Sequence, residues 1–197
     1  MAILKVARMG HPVLRKKARE LSLNEIRSIE TERLIDNMIE TMHEYGGIGL
    51  AAPQVHESLK IAIIELSPES AGSGRYPDYL KNLKQPLGVY INPKITYLTE
   101  ELQGFWEGCL SVPDLRGLVY RPKKIQVDFL DEKGKKQSLI AEDFLATVFQ
   151  HELDHLDGIL YVDRVKFEPG KSPFAFNEEY SRYLSPDDED EVGELIE

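Results

Sequence analysis

Residues 151–155 place two imidazole side chains four positions apart, with a carboxylate between them. In a helix, His151 and His155 lie on one face about one turn apart, a spacing that lets both bind one metal ion. Glu152 would then lie beside the metal without binding it, where it could accept a proton from a bound water. Two unrelated histidines on a surface helix are the alternative, which the total of five histidines in the chain disfavours.

The residues around this motif predict the helix that carries it. Residues at spacings of four, three and four form one helical stripe: Phe144, Val148, His151 and His155. Gly158 predicts the end of the helix. The stripe indicates an apolar wall that leads to a metal, although Phe144 and Val148 could equally be ordinary core residues.

A catalytic site of this kind needs a third protein ligand. Acidic residues downstream, at positions 157, 163 and 168, would supply it in a zinc endopeptidase. Upstream, Cys109 follows Gly108 within residues 107–111, and its thiolate is a soft ligand beside a backbone that can approach a metal closely. Cys109 could also be a small buried apolar residue. The residues alone leave these alternatives open.

Residues 47–54 form a third notable segment, rich in glycine and alanine. It could be a tight turn with core contacts. Alternatively, its glycines let a substrate backbone lie against it, and the side-chain amide of Gln54 offers a hydrogen-bond donor.

The composition predicts one globular domain. The chain has 197 residues, of which 42% are hydrophobic and 29% charged. Its net charge of −10 disfavours a nucleic-acid groove, because phosphate binding needs clustered Lys and Arg. The acidic run near the C-terminus predicts a disordered tail at 186–197, after a single catalytic domain at 1–185.

Neither a membrane segment nor an export signal is indicated. No apolar run approaches the roughly 18 residues that cross a bilayer, and the first residues lack the apolar stretch of a signal peptide. The single cysteine excludes an internal disulfide and fits a reducing compartment. We therefore expect a cytoplasmic protein.

Hydrophobic patterns predict an α+β fold. A capping box at Ser22 and Glu25 opens helical structure, and an amphipathic stripe follows at 34–42. Strands are predicted at 61–66, 89–91, 95–98, 125–129 and near 139, with a surface loop at 67–88. These strands precede the motif helix as antiparallel hairpins, which favours α+β over a parallel α/β sheet.

The three segments together resemble the signature motifs of the peptide deformylase family. Residues 47–54 match Gly-x-Gly-x-Ala-Ala-x-Gln, residues 107–111 match Glu-Gly-Cys-x-Ser, and residues 151–155 match His-Glu-x-x-His. Residues 10–15 resemble the usual opening of the family, and the resemblance spans roughly residues 3–165. Three motifs in this order are far more specific than His-Glu-x-x-His alone.

The resemblance implies a hydrolase that removes the formyl group from the initiator N-formylmethionine of newly made polypeptides, releasing formate. It implies antiparallel sheets packed around a central metal-binding helix. Cys109, His151 and His155 would hold one divalent metal, Fe²⁺ in the cell, with Zn²⁺, Ni²⁺ or Co²⁺ able to occupy the site. The rival interpretation is an HExxH zinc endopeptidase with its third ligand after His155.

The resemblance also implies residue roles. Glu152 would move protons, and the Gln54 side chain and the Leu110 backbone N–H would stabilise the oxyanion. A further set would bind the substrate peptide: Ile48, Gly49, Gly108, Arg116, Phe144 and Val148. Glu107 and Arg121 would form a supporting pair. The implied partners are an N-formylmethionyl peptide and, transiently, the ribosome, with neither nucleic acid nor membrane bound directly.

Overall fold

The computed structural model describes residues 2–66, 85–167 and 172–183. Within these ranges the strands are β1 (Gly49–Ala51), β2 (Ile61–Leu66), β3 (Gln85–Tyr97), β4 (Leu102–Cys109), β5 (Val112–Pro122), β6 (Lys124–Leu130), β7 (Lys136–Glu142) and β8 (Phe174–Phe176). The helices there are α1 (Leu23–Ile26), α2 (Ile29–Glu44), α3 (Asp143–Leu156) and α4 (Asn177–Tyr183). No helix in these ranges is long and apolar enough to cross a bilayer.

Two antiparallel sheets organise the chain. One has the strand order β1-β2-β3-β6-β7 and the other the order β4-β5-β8. Every strand pair within them is antiparallel. The predicted α+β fold with antiparallel sheets is therefore confirmed.

Local capping divides the first helical region in two. Ser22 and Glu25 form the predicted capping box of α1. Ser28 then begins α2, because its side chain accepts a hydrogen bond from the backbone N–H of Thr31 at 3.2 Å. Gly46, at φ 62°, follows the end of α2, in the left-handed conformation that commonly ends helices.

The predicted separation of the strands at 89–91 and 95–98 is wrong, since β3 runs through Asn92 and Pro93 as one strand. The pairing register of β3 with β6 shifts between Ile91 and Lys94, which marks a bulge. Asn92 lies there at φ 49°, and its side-chain amide exchanges two hydrogen bonds with the backbone of Leu21, at 2.8 and 2.9 Å. This long-range contact holds the bulge in place.

Two predictions concern residues that the structure describes only in part. The loop predicted at 67–88 ends earlier than expected, because residues 85–88 belong to β3. Its remainder, at 67–84, lies outside the described residues. So does the tail at 186–197, and the domain boundary at 185 stays a prediction.

Helix α3 contacts both sheets and carries the HExxH motif. Its apolar positions Phe149, Leu153 and Leu156 are buried in one cluster with Ile64 of β2 and Val127 of β6. Burial of each such side chain contributes about 1.5–3 kcal/mol to stability. The remaining positions include His151, which contacts Glu107 of β4 at 2.7 Å, and His155, which lies 3.3 Å from Cys109 at the end of β4.

Candidate metal centre

Three donor groups from two elements meet at one point. Cys109 ends β4, and His151 and His155 lie on α3; their ligand atoms are all within 4.8 Å of one another. The Cys109 Sγ atom is 3.3 Å from His155 Nε2. Tetrahedral bonds of about 2.0–2.3 Å place ligand atoms roughly 3.3–3.8 Å apart, so a thiolate and two imidazoles arranged in this way fit one divalent first-row metal.

Two of the downstream acids that an endopeptidase would use do not join this cluster. Asp157 forms an ion pair with Lys17 at 3.4 Å, and Asp163 forms one with Arg15. Residue 168 lies outside the described part of the chain. Among the described residues, Cys109 is the group that completes a set of three.

Glu107 orients the first histidine. Its Oε2 atom is 2.7 Å from His151 Nδ1, which leaves His151 Nε2 to face the cluster. Arg121 binds the same carboxylate through Nε at 2.6 Å and Nη2 at 3.0 Å. Burial opposes ionisation of Glu107, but His151 and Arg121 outweigh it and lower the pKa of this carboxyl. Glu107 therefore accepts hydrogen bonds as a carboxylate.

The same network reaches the protein surface through Asp154. Arg121 Nη1 donates to Asp154 Oδ2 at 2.8 Å, and Arg164 Nη2 donates to Asp154 Oδ1 at 2.7 Å. Asp154 occupies a variable position of the HExxH motif, and sequence reasoning assigned it no role. The sequence signal for such a role was the acidic residue inside the motif.

Burial sets the charge of Glu152 and His155. It raises the pKa of Glu152 to about 7, because the ionised carboxylate loses contact with water. It lowers the pKa of His155 well below the usual range, which favours the neutral ring that a metal binds. Glu152 is thus suited to accept and release a proton near neutral pH.

Gly49 provides the space that Glu152 occupies. A Cβ atom added at Gly49 would lie 2.7 Å from Cδ and 2.8 Å from Cγ of Glu152, closer than side chains tolerate. Glu152 is 5% exposed, so its side chain has little room to move aside. The first glycine-rich segment therefore contributes to the site by lacking a side chain at this position.

We expect Gly49→Ala to lower turnover by about 10²-fold while the metal stays bound, because a displacement of about 1 Å at a catalytic group has this effect. Gly104→Ala on β4 is the control, because Gly104 does not line the pocket and its added Cβ would meet the ring of Tyr120, which is 40% exposed and can move aside. Turnover and metal content are measured for both variants. Equal turnover in Gly49→Ala and the parent would show that Glu152 tolerates the methyl group.

The Gln54 amide is aimed at the cluster. Its Oε1 accepts the backbone N–H of Ala51 at 2.8 Å, which fixes the NH₂ group on the other side. Nε2 lies 3.4 Å from Cys109 Sγ and 3.3 Å from Ser111 Oγ. Leu110 and Ser111 form the turn between β4 and β5. The structure thus brings the Gln54 donor and this turn together at the cluster. Their oxyanion roles stay a prediction.

The N-terminal segment fixes both of these loops, a role that sequence reasoning missed. The backbone N–H of Ala7 donates to the Gln54 carbonyl at 2.7 Å. The N–H of Met9 donates to the Ser111 carbonyl, also at 2.7 Å. A single extended segment therefore ties the first motif to the second.

A pocket of about 540 Å³ opens over the cluster. It is lined by all six residues predicted to bind substrate: Ile48, Gly49, Gly108, Arg116, Phe144 and Val148. Val148 is also 5% exposed and packs in the core cluster of α3, so it is a core residue that borders the pocket as well. Its contact with a substrate stays a prediction. Tyr45, Trp106 and Asn177 line the pocket as well, and sequence reasoning did not find them.

One side of the pocket is a sheet edge. Strand β1 is the terminal strand of its sheet, paired with β2. The carbonyl of Ile48 accepts the N–H of Glu65 on the β2 side at 2.9 Å. Because alternate residues of an antiparallel strand direct their backbone groups to opposite sides, those of Gly49 face the open edge. An extended peptide could pair there.

Comparisons with known proteins show the family of the chain. A family model described as polypeptide deformylase matches residues 3–169. A peptide deformylase of Leptospira biflexa is 40% identical over 179 residues, covering 91% of this chain and 95% of the relative. One from Fusobacterium nucleatum is 43% identical over 163 residues, covering 83% and 84%.

Solved structures match as well. A class I type b peptide deformylase from Acinetobacter baumannii, with Met-Ala-Ser bound, has a TM-score of 0.76 and 37% identity; the match covers 83% of this chain and 99% of that one. The peptide deformylase of Thermotoga maritima has a TM-score of 0.73 and 32% identity, covering 85% and 100%.

Proposed function

The chain belongs to the peptide deformylase family, and from this premise we propose how its own residues carry out the reaction. It is a metal-dependent hydrolase that removes the formyl group from newly made polypeptides. A zinc endopeptidase, the alternative that the HExxH motif alone allowed, is not the family to which it belongs. One observation carries the residue-level proposal: Glu152 lies beside the Cys109–His151–His155 cluster at the base of a pocket with an open strand edge.

Cys109, His151 and His155 are proposed to hold one divalent metal, Fe²⁺ in the cell, with Zn²⁺, Ni²⁺ or Co²⁺ as alternatives. When bound, such a metal lowers the pKa of a water ligand to near neutrality and polarises a carbonyl. The Cys109 thiolate lowers the net charge of the site. Hydrogen bonds to its sulfur from Ser111 N–H and Gln54 Nε2, both at 3.4 Å, stabilise that thiolate.

Glu152 is the proposed proton carrier. Its carboxylate takes a proton from the water as the water oxygen bonds to the formyl carbon. The formyl C–N bond then breaks, and Glu152 returns the proton to the leaving amine. The products are formate and a peptide with a free N-terminus.

Gln54 and Leu110 are the proposed donors to the formyl oxygen, where negative charge develops. The Gln54 NH₂ is held in place by Ala51, and the Leu110 N–H lies in a turn fixed by the N-terminal segment. Both groups are held by the fold, and Gln54 has to shift only one N–H from Cys109 or Ser111 to the formyl oxygen. Each such donor is typically worth about 10²–10³ in rate.

The substrate is proposed to enter as an added strand. The backbone of Ile48 and Gly49 would pair with an extended formyl-Met peptide along the β1 edge, and the wall formed by Phe144 and Val148 would receive the methionine side chain. A Met-Ala-Ser peptide is bound in the Acinetobacter baumannii neighbour. The same class of peptide is proposed as the ligand of this pocket, with Gly108 and Arg116 contacting its backbone.

The setting of the reaction follows from this substrate. We place the protein in the cytoplasm, where nascent chains emerge, with transient contact at the ribosome. Its net charge of −10 argues against a direct nucleic-acid groove.

Formate release from formyl-Met-Ala-Ser, measured together with metal content after purification without oxygen, tests the proposal. We expect one metal per chain, predominantly iron, and release of formate without cleavage of the Met-Ala bond. Cleavage of internal peptide bonds instead would contradict the assigned reaction, and a metal-free active protein would contradict the assigned centre.

Val148→Thr should weaken selectivity for methionine. The two side chains have nearly the same volume, so the fold is kept, but an unpartnered hydroxyl against a thioether costs about 1–3 kcal/mol. We expect kcat/KM to fall about tenfold for a formyl-Met peptide and much less for a formyl-Gly peptide. Val127→Thr is the control, because Val127 is fully buried in the same core cluster and does not line the pocket. Equal losses on both substrates would place the side-chain pocket elsewhere.

A further inference from the structure

The family match ends at residue 169, but the chain continues into β8 and then into α4, which borders the pocket. Strand β8 pairs with β5, with Phe176 opposite Leu115, Ala175 opposite Arg116 and Phe174 opposite Gly117. It thereby adds a third strand to the hairpin whose first strand ends at the candidate ligand Cys109. Residues after the family match therefore pair with the strand that carries Arg116.

Helix α4, which follows β8 directly, places Tyr180 against the Arg116 side chain. The guanidinium carbon of Arg116 lies 4.8 Å from the centre of the Tyr180 ring, within the range of a cation–π contact. Both residues are only 8% exposed, so this contact is shielded from solvent. The Tyr180 ring also packs on Trp106, with ring centres 5.8 Å apart.

A second contact holds the other end of the guanidinium. Arg116 Nη1 donates to the backbone carbonyl of Trp106 at 3.4 Å. The arginine is thus fixed between a carbonyl of β4 and a ring of α4. A guanidinium ordered in advance loses less conformational entropy when it binds a ligand.

Arg116 is close to the reacting end of the pocket. It is opposite Gly108 in the register of β4 and β5, and Gly108 precedes Cys109. The pocket is lined by Arg116 and by Asn177, the first residue of α4. At about 3.3 Å per residue, an extended peptide with its formyl group at the cluster has residues after methionine within reach of this wall.

We infer that Phe174–Tyr183 is a substrate-recognition element, in which Tyr180 is a positioning residue that holds Arg116 against the peptide carbonyls after the first methionine. The inference rests on the proposed function. The C-terminal segment would then make the protein prefer formylated peptides of three or more residues over formyl-methionine derivatives, which lack those carbonyls.

Two variants of Tyr180 distinguish the effect of its aromatic face from that of its apolar bulk. Tyr180→Phe keeps the aromatic face, whereas Tyr180→Leu keeps apolar bulk and removes the face. Steady-state kinetics are compared on formyl-Met-Ala-Ser and on formyl-Met amide. We expect Tyr180→Leu to raise KM for the tripeptide three- to tenfold. Its kcat on the tripeptide and its kinetics on formyl-Met amide should change less than twofold. Tyr180→Phe should keep the KM of the parent protein.

Arg116→Gln supplies an independent measurement on the residue that makes the contact. It should raise KM for the tripeptide by at least as much as Tyr180→Leu, and the double variant should resemble Arg116→Gln alone, because both changes remove one interaction. Additive losses, equal losses on both substrates, or an unchanged tripeptide KM in Tyr180→Leu would overturn the inference. Failure of the parent protein to release formate from either substrate would instead refute the proposed function.

Discussion

Replacing Glu152 with Gln should lower turnover by about 10²–10⁴-fold while the metal stays bound. The carboxamide has nearly the same shape as the carboxylate, so the space beside Gly49 remains filled. It cannot accept the proton of the water, and the site then lacks its proton carrier. The buried position of Glu152, with a pKa raised by burial to about 7, is what makes this carboxyl suited to that task.

Formate release and metal content are measured on the same preparation of Glu152→Gln. Asp157→Asn is the control: Asp157 lies just after the same helix and pairs with Lys17 at the surface, so its neutralisation should leave turnover unchanged. Near-parental turnover in Glu152→Gln would remove this residue from the reaction. Loss of the metal in this variant would show that Glu152 supports the metal centre instead of carrying the proton.

Cys109→Ser should weaken metal binding by about 10²-fold or more, above the 10–100-fold typical for a group that only orients a ligand. A neutral hydroxyl is a poor ligand compared with a thiolate. The sulfur is 3.3 Å from His155 Nε2, so both atoms border the same metal position. We expect metal content and turnover to fall together after dialysis against a mild chelator.

His43→Ala is the matched control for the metal measurement. His43 pairs with Glu65 at the protein surface and lies outside the cluster, so its removal should leave metal content unchanged. Added iron should leave the turnover of the control unchanged and restore that of Cys109→Ser only in part. Metal content in Cys109→Ser equal to that of the parent would exclude Cys109 from the metal centre.

Much of the secondary structure follows from contacts between residues close in the chain. Helix α3 follows from apolar residues repeated at helical spacing, and the same spacing brings His151 and His155 to one point. Strand β2 and the β6–β7 hairpin follow from apolar runs and alternation. The prediction at Asn92 failed because the bulge depends on a hydrogen bond to Leu21, 71 residues earlier.

The sequence by itself determined the family motifs, the α+β class and the pair of histidines with a carboxylate between them, because these depend on residue type and short spacing. It left Cys109 and the downstream acids as rival third ligands until the motifs were taken together. Only the tertiary structure placed Cys109 at the histidines and paired Asp157 and Asp163 with basic residues elsewhere.

The tertiary structure alone also decided how the site is supported. Arg121 reaches Asp154 across 33 residues, and Gln54 reaches Cys109 across 55. The packing of Tyr180 on Arg116 joins a helix beyond the family motifs to the pocket wall. Such contacts depend on which strands pair and on the register of each pair, and a local pattern of residues specifies neither.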